Sequence, residues 1–365
     1  MSKPFVFAVA CLLGVGLNCF LILPALPYVV HGDNDFMNLY AGSVLAGSHD
    51  LYDMDTVRRV QSKIWERPHT LPFARLPFYA LMLTPLRLFA YPLCYWVFQM
   101  VCLGAVAATV FLWPARDKWV TAVACCWSLP LLNAFVMGQD VAIAVLALAG
   151  SMALLFRGKD FAAGCVLSLC LIKFNLFLAF PILILGRRLW KLGLGAVAGT
   201  VVLLALSFLA AGWRWPVDYV AVLQAPGTTA LFGGLTNLRG LFAGLPGVNY
   251  WQAAGTCVAV ALAWLAMRAK DLRLAIAAVL LCSLLVSHHA FCADAFTMVP
   301  AAVLLWDGAA HAVHKFAACL LACPLVYLPL MTVWPAFHAA IVFLACLAAI
   351  AGWVSTARRG ERSAI

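Results

Sequence analysis

Residues 4–30, "PFVFAVACLLGVGLNCFLILPALPYVV", contain no charged side chain. Roughly 20 apolar residues in a helix cross a hydrocarbon core of about 30 Å, and a water-soluble domain has no comparable way to cover such a run. The run lacks the shorter apolar stretch and small-residue cleavage site of a signal peptide, so it reads as a retained first span. The same character continues along the 365-residue chain, where 65% of residues are apolar and 10% charged. That balance lies outside soluble domains and predicts an all-α polytopic membrane protein.

The formal charge of +10 raises the question of nucleic acid. The basic residues, however, come in short clusters between apolar runs, such as Arg157/Lys159, Arg187/Arg188/Lys191, Arg268/Lys270/Arg273 and Arg358/Arg359/Arg362. Positive-inside topology accounts for this and leaves no basic helix for a nucleic-acid partner. Spans placed between the clusters number about 11 to 13 and put both termini in the cytoplasm. Residues 161–186 are too short for two full spans and read as a broken hairpin or a pair of tilted, partly buried helices. "LPFYALMLTPLRLF", residues 76–89, is too short to cross and reads as an interfacial or re-entrant element on the outer side. Two long outer connections remain, one in 31–90 and one in 212–250, and the whole of 1–365 reads as a single membrane domain. Trp213, Trp215, Tyr219 and Trp251 suit an aromatic belt at that interface. The fourteen cysteines lie mostly inside apolar runs with no C-x-x-C pair, so they read as small buried hydrophobes.

Polar residues that topology does not require collect on the outer side. Asp33 and Asp35 follow the first span, "MGQD" brings Gln139 and Asp140, and Lys173 sits at the tip of the broken hairpin. Asn237 and Arg239 lie in the second long loop, and "SHHAFCAD" brings His288, His289 and Asp294. An ionisable group at the edge of a span is costly and marks a functional candidate. Each also has a plain alternative. Asn34 or Asp35 would cap a helix from Phe36, Gln139 or Asp140 would cap the next one, and Lys173 would snorkel to the interface. The adjacent histidines lack a helical ligand spacing, so no metal is expected, and no cofactor motif is present.

Taken in order, "DFMNLYAGSVLAGSHDLYD" (35–53), "LPFYALMLTPLRLF" (76–89), "MGQDVAIAVLALAG" (137–150), "AAGCVLSLCLIKFNLFLAFPILILGRRLW" (162–190), "TNLRGL" (236–241) and "HAFCADAFTMVPAAVLL" (289–305) resemble glycosyltransferase family 87. The resemblance implies a GT-C-type integral-membrane bundle with extracytoplasmic loop and interfacial helices. It implies a hexosyltransferase, mannosyltransferase-like, that moves sugar from a polyprenyl-phosphate donor to a lipid or glycan acceptor. It places Asp35 as the catalytic base and Lys173 at the family's I-K-P-like hairpin, with Phe174 where the family has proline. His288 or His289 and Asp294 then match a polar pair before a late span. Direct displacement with inversion needs one base and cations for the leaving phosphate, for which Lys173, Arg239 and His289 are candidates, with Asp33 tuning Asp35. "DND" at 33–35 spells a metal-binding triplet, but a monophosphate donor has less need of a divalent ion. A lipid-linked sugar flippase and a non-catalytic envelope assembly factor share the same outer polar face. The expected setting is the inner (plasma) membrane with the site facing outward.

Overall fold

The computed structural model describes residues 3–25, 34–65, 70–224, 235–308 and 312–328. Asp33, residues 225–234 of the second long loop and the apolar run 336–354, read from the sequence as a last span, lie outside the described residues. The described residues form helices and no strands, in agreement with an all-α polytopic membrane protein.

The chain opens with α1 (Lys3–Ile22), which the uninterrupted apolar run makes long enough to cross a membrane. After a gap in the described residues come α2 (Phe36–Val44), a 3₁₀ turn (His49–Tyr52) and α3 (Met54–Ser62). Asp53 starts α3 by accepting from the Asp55 and Thr56 amides. Those amides lower its pKa, so it is a fixed negative charge. The segment expected at the interface is α4 (Pro77–Leu83) continued by 3₁₀ residues Thr84–Leu88. It is too short to cross, as expected, but Phe78, Tyr79, Ala80 and Leu83 are buried. The element is thus inserted into the bundle, its first free amide, that of Phe78, donating to Ser207 Oγ at 3.1 Å.

α5 (Tyr91–Leu112) is the second helix long and apolar enough to cross. The apolar stretch 119–136, which the sequence reads as one span, makes α6 (Lys118–Cys126) and α7 (Leu129–Met137), bent by 60°. Pro130 has no N–H to continue the ladder, and Ser128 Oγ restarts the helix by accepting from the Leu131 amide. α1 is clamped to this break. Asn18 donates to the Cys126 carbonyl at 3.0 Å, and Trp127 Nε1 donates to the Ala10 carbonyl at 2.9 Å.

α8 (Val141–Leu155) is buried along most of its length. Residues 160–186 form α9 (Asp160–Leu167), a 3₁₀ stretch (Ser168–Leu176) kinked at Lys173 (φ −134°, ψ 58°), and α10 (Phe180–Gly186). α11 (Trp190–Ala211) is the third long apolar helix, and it packs tightly on α9. The reason is a run of small residues: a Cβ on Gly195 would sit 2.0 Å from the Phe161 carbonyl oxygen, and one on Gly164 2.0 Å from that of Leu192. Such close backbone approach is how membrane helices associate when lipid is as apolar as their side chains. Gly195→Leu should therefore lower the melting temperature of the detergent-solubilised protein through overpacking of about 1–3 kcal/mol or more. An unchanged melting temperature would show that this crossing does not hold the bundle.

The chain continues through α12 (Trp215–Gln224), α13 (Leu238–Leu241), α14 (Val248–Ala266), α15 (Leu272–Val286), a 3₁₀ turn (Cys292–Thr297), α16 (Met298–Gly308) and α17 (Ala312–Ala322). α15 and α16 form the interior, whereas α1, α5 and α11 expose Leu12, Phe20, Phe111, Val197 and Leu209. Exposed apolar rows on the longest helices are the surface that lipid covers. Trp215 and Tyr219 are buried rather than part of an interfacial belt, while Trp213 and Trp251 are exposed.

Candidate active site

The site begins with the placement of Phe36. Tyr91, Tyr95 and Phe98 recur on one face of α5, and their ring centroids lie 5.7, 5.7 and 5.0 Å from that of Phe36. These rings pin the first residue of α2, and the Asp35 amide donates to the Met137 carbonyl at 2.9 Å. Asp35 occupies the N-cap position of α2 but its side chain makes no capping bond. Asn34, the other capping candidate, instead accepts from the Tyr91 hydroxyl at 2.8 Å. The Asp35 carboxylate is half-buried and turned towards the end of α7, where the Gln139 amide donates to its Oδ2 at 2.6 Å.

Gly138 makes that turn possible. It adopts φ 66° and ψ 38°, the left-handed region that closes a helix, and a Cβ there would lie 2.4 Å from Phe36 Cβ. Gly138→Ala should cost about 1 kcal/mol for the backbone plus the displacement of Phe36. Because that displacement shifts Asp35 and Gln139 apart, transfer activity should fall by more than the stability loss explains. Full activity with a lowered melting temperature would sink this reading.

Beyond Gln139 the polar groups form one continuous network. Gln139 Oε1 accepts from Lys173 Nζ at 2.9 Å, which settles the orientation of the amide. Lys173 also donates to Asp294 Oδ1 at 2.5 Å and pairs with Asp140 Oδ1 at 3.3 Å. Asp140 takes a bidentate fork from Arg75, 2.8 Å from Nε and 2.9 Å from the second guanidinium nitrogen. Asp294 Oδ2 accepts from the Phe291 amide at 3.0 Å. Asp140 sits at the N-cap position of α8 without capping it, and Lys173 is 4% exposed, so neither helix capping nor snorkelling describes them. Two cations and two carboxylates, all largely buried, neutralise one another. That pairing makes burial of four charges tolerable.

The three donor directions of the Lys173 ammonium are each matched by an acceptor, and it holds the network together. Asn237, expected at the substrate, is buried. Its Oδ1 accepts from the Gly240 amide at 3.0 Å as the cap of α13, and its Nδ2 donates to the Ser287 carbonyl at 2.8 Å. Together with the bond from the Thr236 amide to the Ala290 carbonyl, this straps residues 235–241 to the turn before Asp294. Arg239 and His288 meet at the exposed edge of the strap, where the guanidinium donates to the imidazole. Burial, with the guanidinium adding to it, lowers the His288 pKa, which favours the neutral ring that can accept this bond. The His289 ring lies edge-on to Phe291 at 4.7 Å, and burial lowers its pKa also. Among the described residues no cluster of three or more His, Cys, Asp or Glu is arranged to hold a metal ion.

Arg75 joins this network through its fork on Asp140, although it is not among the candidates drawn from the sequence. Its signal is local. It stands in "LPFARLPFYALML", a lone cation between apolar residues. A charge so placed needs a buried partner.

A membrane-embedded helical bundle with a half-buried carboxylate beside a neutralised charge network has the makings of a membrane enzyme. The sequence model of glycosyltransferase family 87 matches residues 76–291, more than half of the chain, and the protein belongs to that family. It is a glycosyltransferase. The matched region contains Gln139, Asp140, Lys173, Asn237, Arg239, His288 and His289, while Arg75 immediately precedes it and Asp35 and Asp294 lie outside. No curated protein and no solved structure matches the chain.

Proposed function

We propose that the protein transfers a hexose, mannose in the first instance, from a polyprenyl-phosphate carrier to a lipid or polysaccharide acceptor, with inversion and with Asp35 as base. The observation that carries this reading is the Asp35 carboxylate: at a helix start yet not capping it, half-buried, and oriented by the Gln139 amide. A carboxylate held this way can take the proton of an acceptor hydroxyl as that oxygen attacks the anomeric carbon. The bond from the anomeric carbon to the phosphate oxygen breaks, and the carrier leaves with one more negative charge than it had in the donor. Arg239 and His288, at the exposed edge of the strap, are the groups assigned to meet that charge. Lys173 and Arg75 act through position: they fix Gln139 and Asp140, and so the direction from which Asp35 is reached. Asp33, two residues before Asp35 in the sequence, is assigned to tune it. The carrier chain remains in the bilayer of the plasma membrane, the termini are cytoplasmic, and the site opens outward, as the distribution of Lys and Arg supports.

The test is transfer from a panel of radiolabelled polyprenyl-phosphate sugars, supplied to membranes that express the chain, with the anomeric configuration of the product read by NMR. Transfer of mannose with inversion is the expected result. Transfer of another sugar would correct the donor alone. Donor translocation without any glycosidic product would replace the reading with a flippase.

A further inference from the structure

A cavity of about 550 Å³ lies beside the charge network and takes no part in it. One wall is the turn before α3, with His49, Tyr52 and Asp53; the other is the end of α11 and the start of α12, with Trp213, Arg214 and Asp218. The walls are joined by His49, whose Nδ1 lies 3.2 Å from the Ala211 carbonyl, and by the Tyr52 and Tyr219 rings at 5.6 Å. The floor is tied to the active site: the Tyr52 hydroxyl donates to the Arg75 carbonyl at 2.6 Å, and the Arg75 side chain grips Asp140.

The lining selects a type of ligand. Arg214 and Asp218 stand four residues apart at the start of α12, yet neither makes a side-chain hydrogen bond or ion pair among the described residues. With Asp53, two carboxylates and one guanidinium line the cavity, a balance that disfavours a phosphate or another anion. A neutral polyhydroxyl compound suits it, because carboxylates accept from hydroxyls and the guanidinium donates to them. Trp213, 86% exposed and backed by Phe208 at 5.1 Å, offers an aromatic face against which the C–H face of a sugar ring packs. The volume lies within the range of small-ligand pockets, about 300–1,000 Å³.

We propose that this cavity binds the neutral saccharide head of the acceptor, one bonded step from Arg75 and separate from the carboxylate that takes the proton. The assignment rests on the glycosyltransferase reading above, but its test does not depend on turnover. Saturation-transfer NMR on the solubilised full-length chain would be run with the methyl glycosides of mannose, glucose, galactose and arabinofuranose. Binding of at least one glycoside is expected, weakened about tenfold in Asp218→Asn and in Arg214→Gln, the loss of one charged hydrogen bond each. Asp35→Asn should bind as wild type, and melting curves would confirm that the pocket variants fold. Three results would overturn the proposal: no glycoside binds, inorganic phosphate displaces the one that does, or Asp35→Asn abolishes binding while the pocket variants retain it. Bound glycoside in a protein that transfers no sugar from any donor would instead sink the function proposed above and leave the pocket standing.

Discussion

Replacing Asp35 by Asn lowers sugar transfer by about 10²–10⁴-fold, the contribution a positioned general base makes. The change removes a proton acceptor while keeping size, and the remaining side-chain carbonyl still accepts from Gln139. Donor binding and melting temperature should therefore stay near wild type, and the loss should fall on kcat. This pattern separates a base from a structural residue. Since Asp35 sits at the N-cap position without capping, there is no helix-stabilising bond whose loss would mimic the effect. Equal transfer by wild type and Asp35→Asn would remove Asp35 from the mechanism. Loss of activity together with a large drop in melting temperature would make it a structural group.

Lys173→Met is expected to have the largest effect on stability, about 3–5 kcal/mol. The methionine fills similar volume but leaves Asp140 and Asp294 with Arg75 as the remaining paired cation of the network. Asp140 is fully buried and keeps its Arg75 fork, so the uncompensated charge falls mainly on Asp294. That identifies the rescue: Lys173→Met combined with Asp294→Asn restores neutrality and should recover much of the lost stability. Thermal unfolding of the two single variants and the double variant forms a cycle whose coupling term is read directly. Additive losses would show that the pair seen at 2.5 Å contributes nothing. Activity is expected to stay low in the double variant even if stability returns, because Gln139 has lost the donor that fixes its amide.

Much of the candidate network was legible before the fold. Asp35, Gln139, Asp140, Lys173 and Asp294 stand out as polar residues at the margins of apolar runs, and the structure brings all five into one network. Their roles were less legible. Capping and snorkelling are local readings, judged from neighbours in sequence, and here each is displaced by a partner far along the chain: Gln139 for Asp35, Asp294 for Lys173, Arg75 for Asp140. Asn237 was legible as a polar residue in the second long loop, but not its bonds to Gly240 and Ser287, which make it the cap and strap of that loop. Arg75 was hidden by its company, one basic residue in a long loop with several others.

The sequence alone determined that this chain lives in a membrane, that it is helical, and which family it joins. Apolar length, charge spacing and the order of short motifs are properties of a line of residues, and the bilayer converts them directly into helices because it leaves no other way to satisfy the backbone. Only the tertiary structure decided which candidate is tied up and which is presented. That choice depends on distances of about 3 Å between side chains carried by different helices. The aromatic seat of Phe36, the turn at Gly138 and the kink at Lys173 set those distances, and they exist only once the helices have packed.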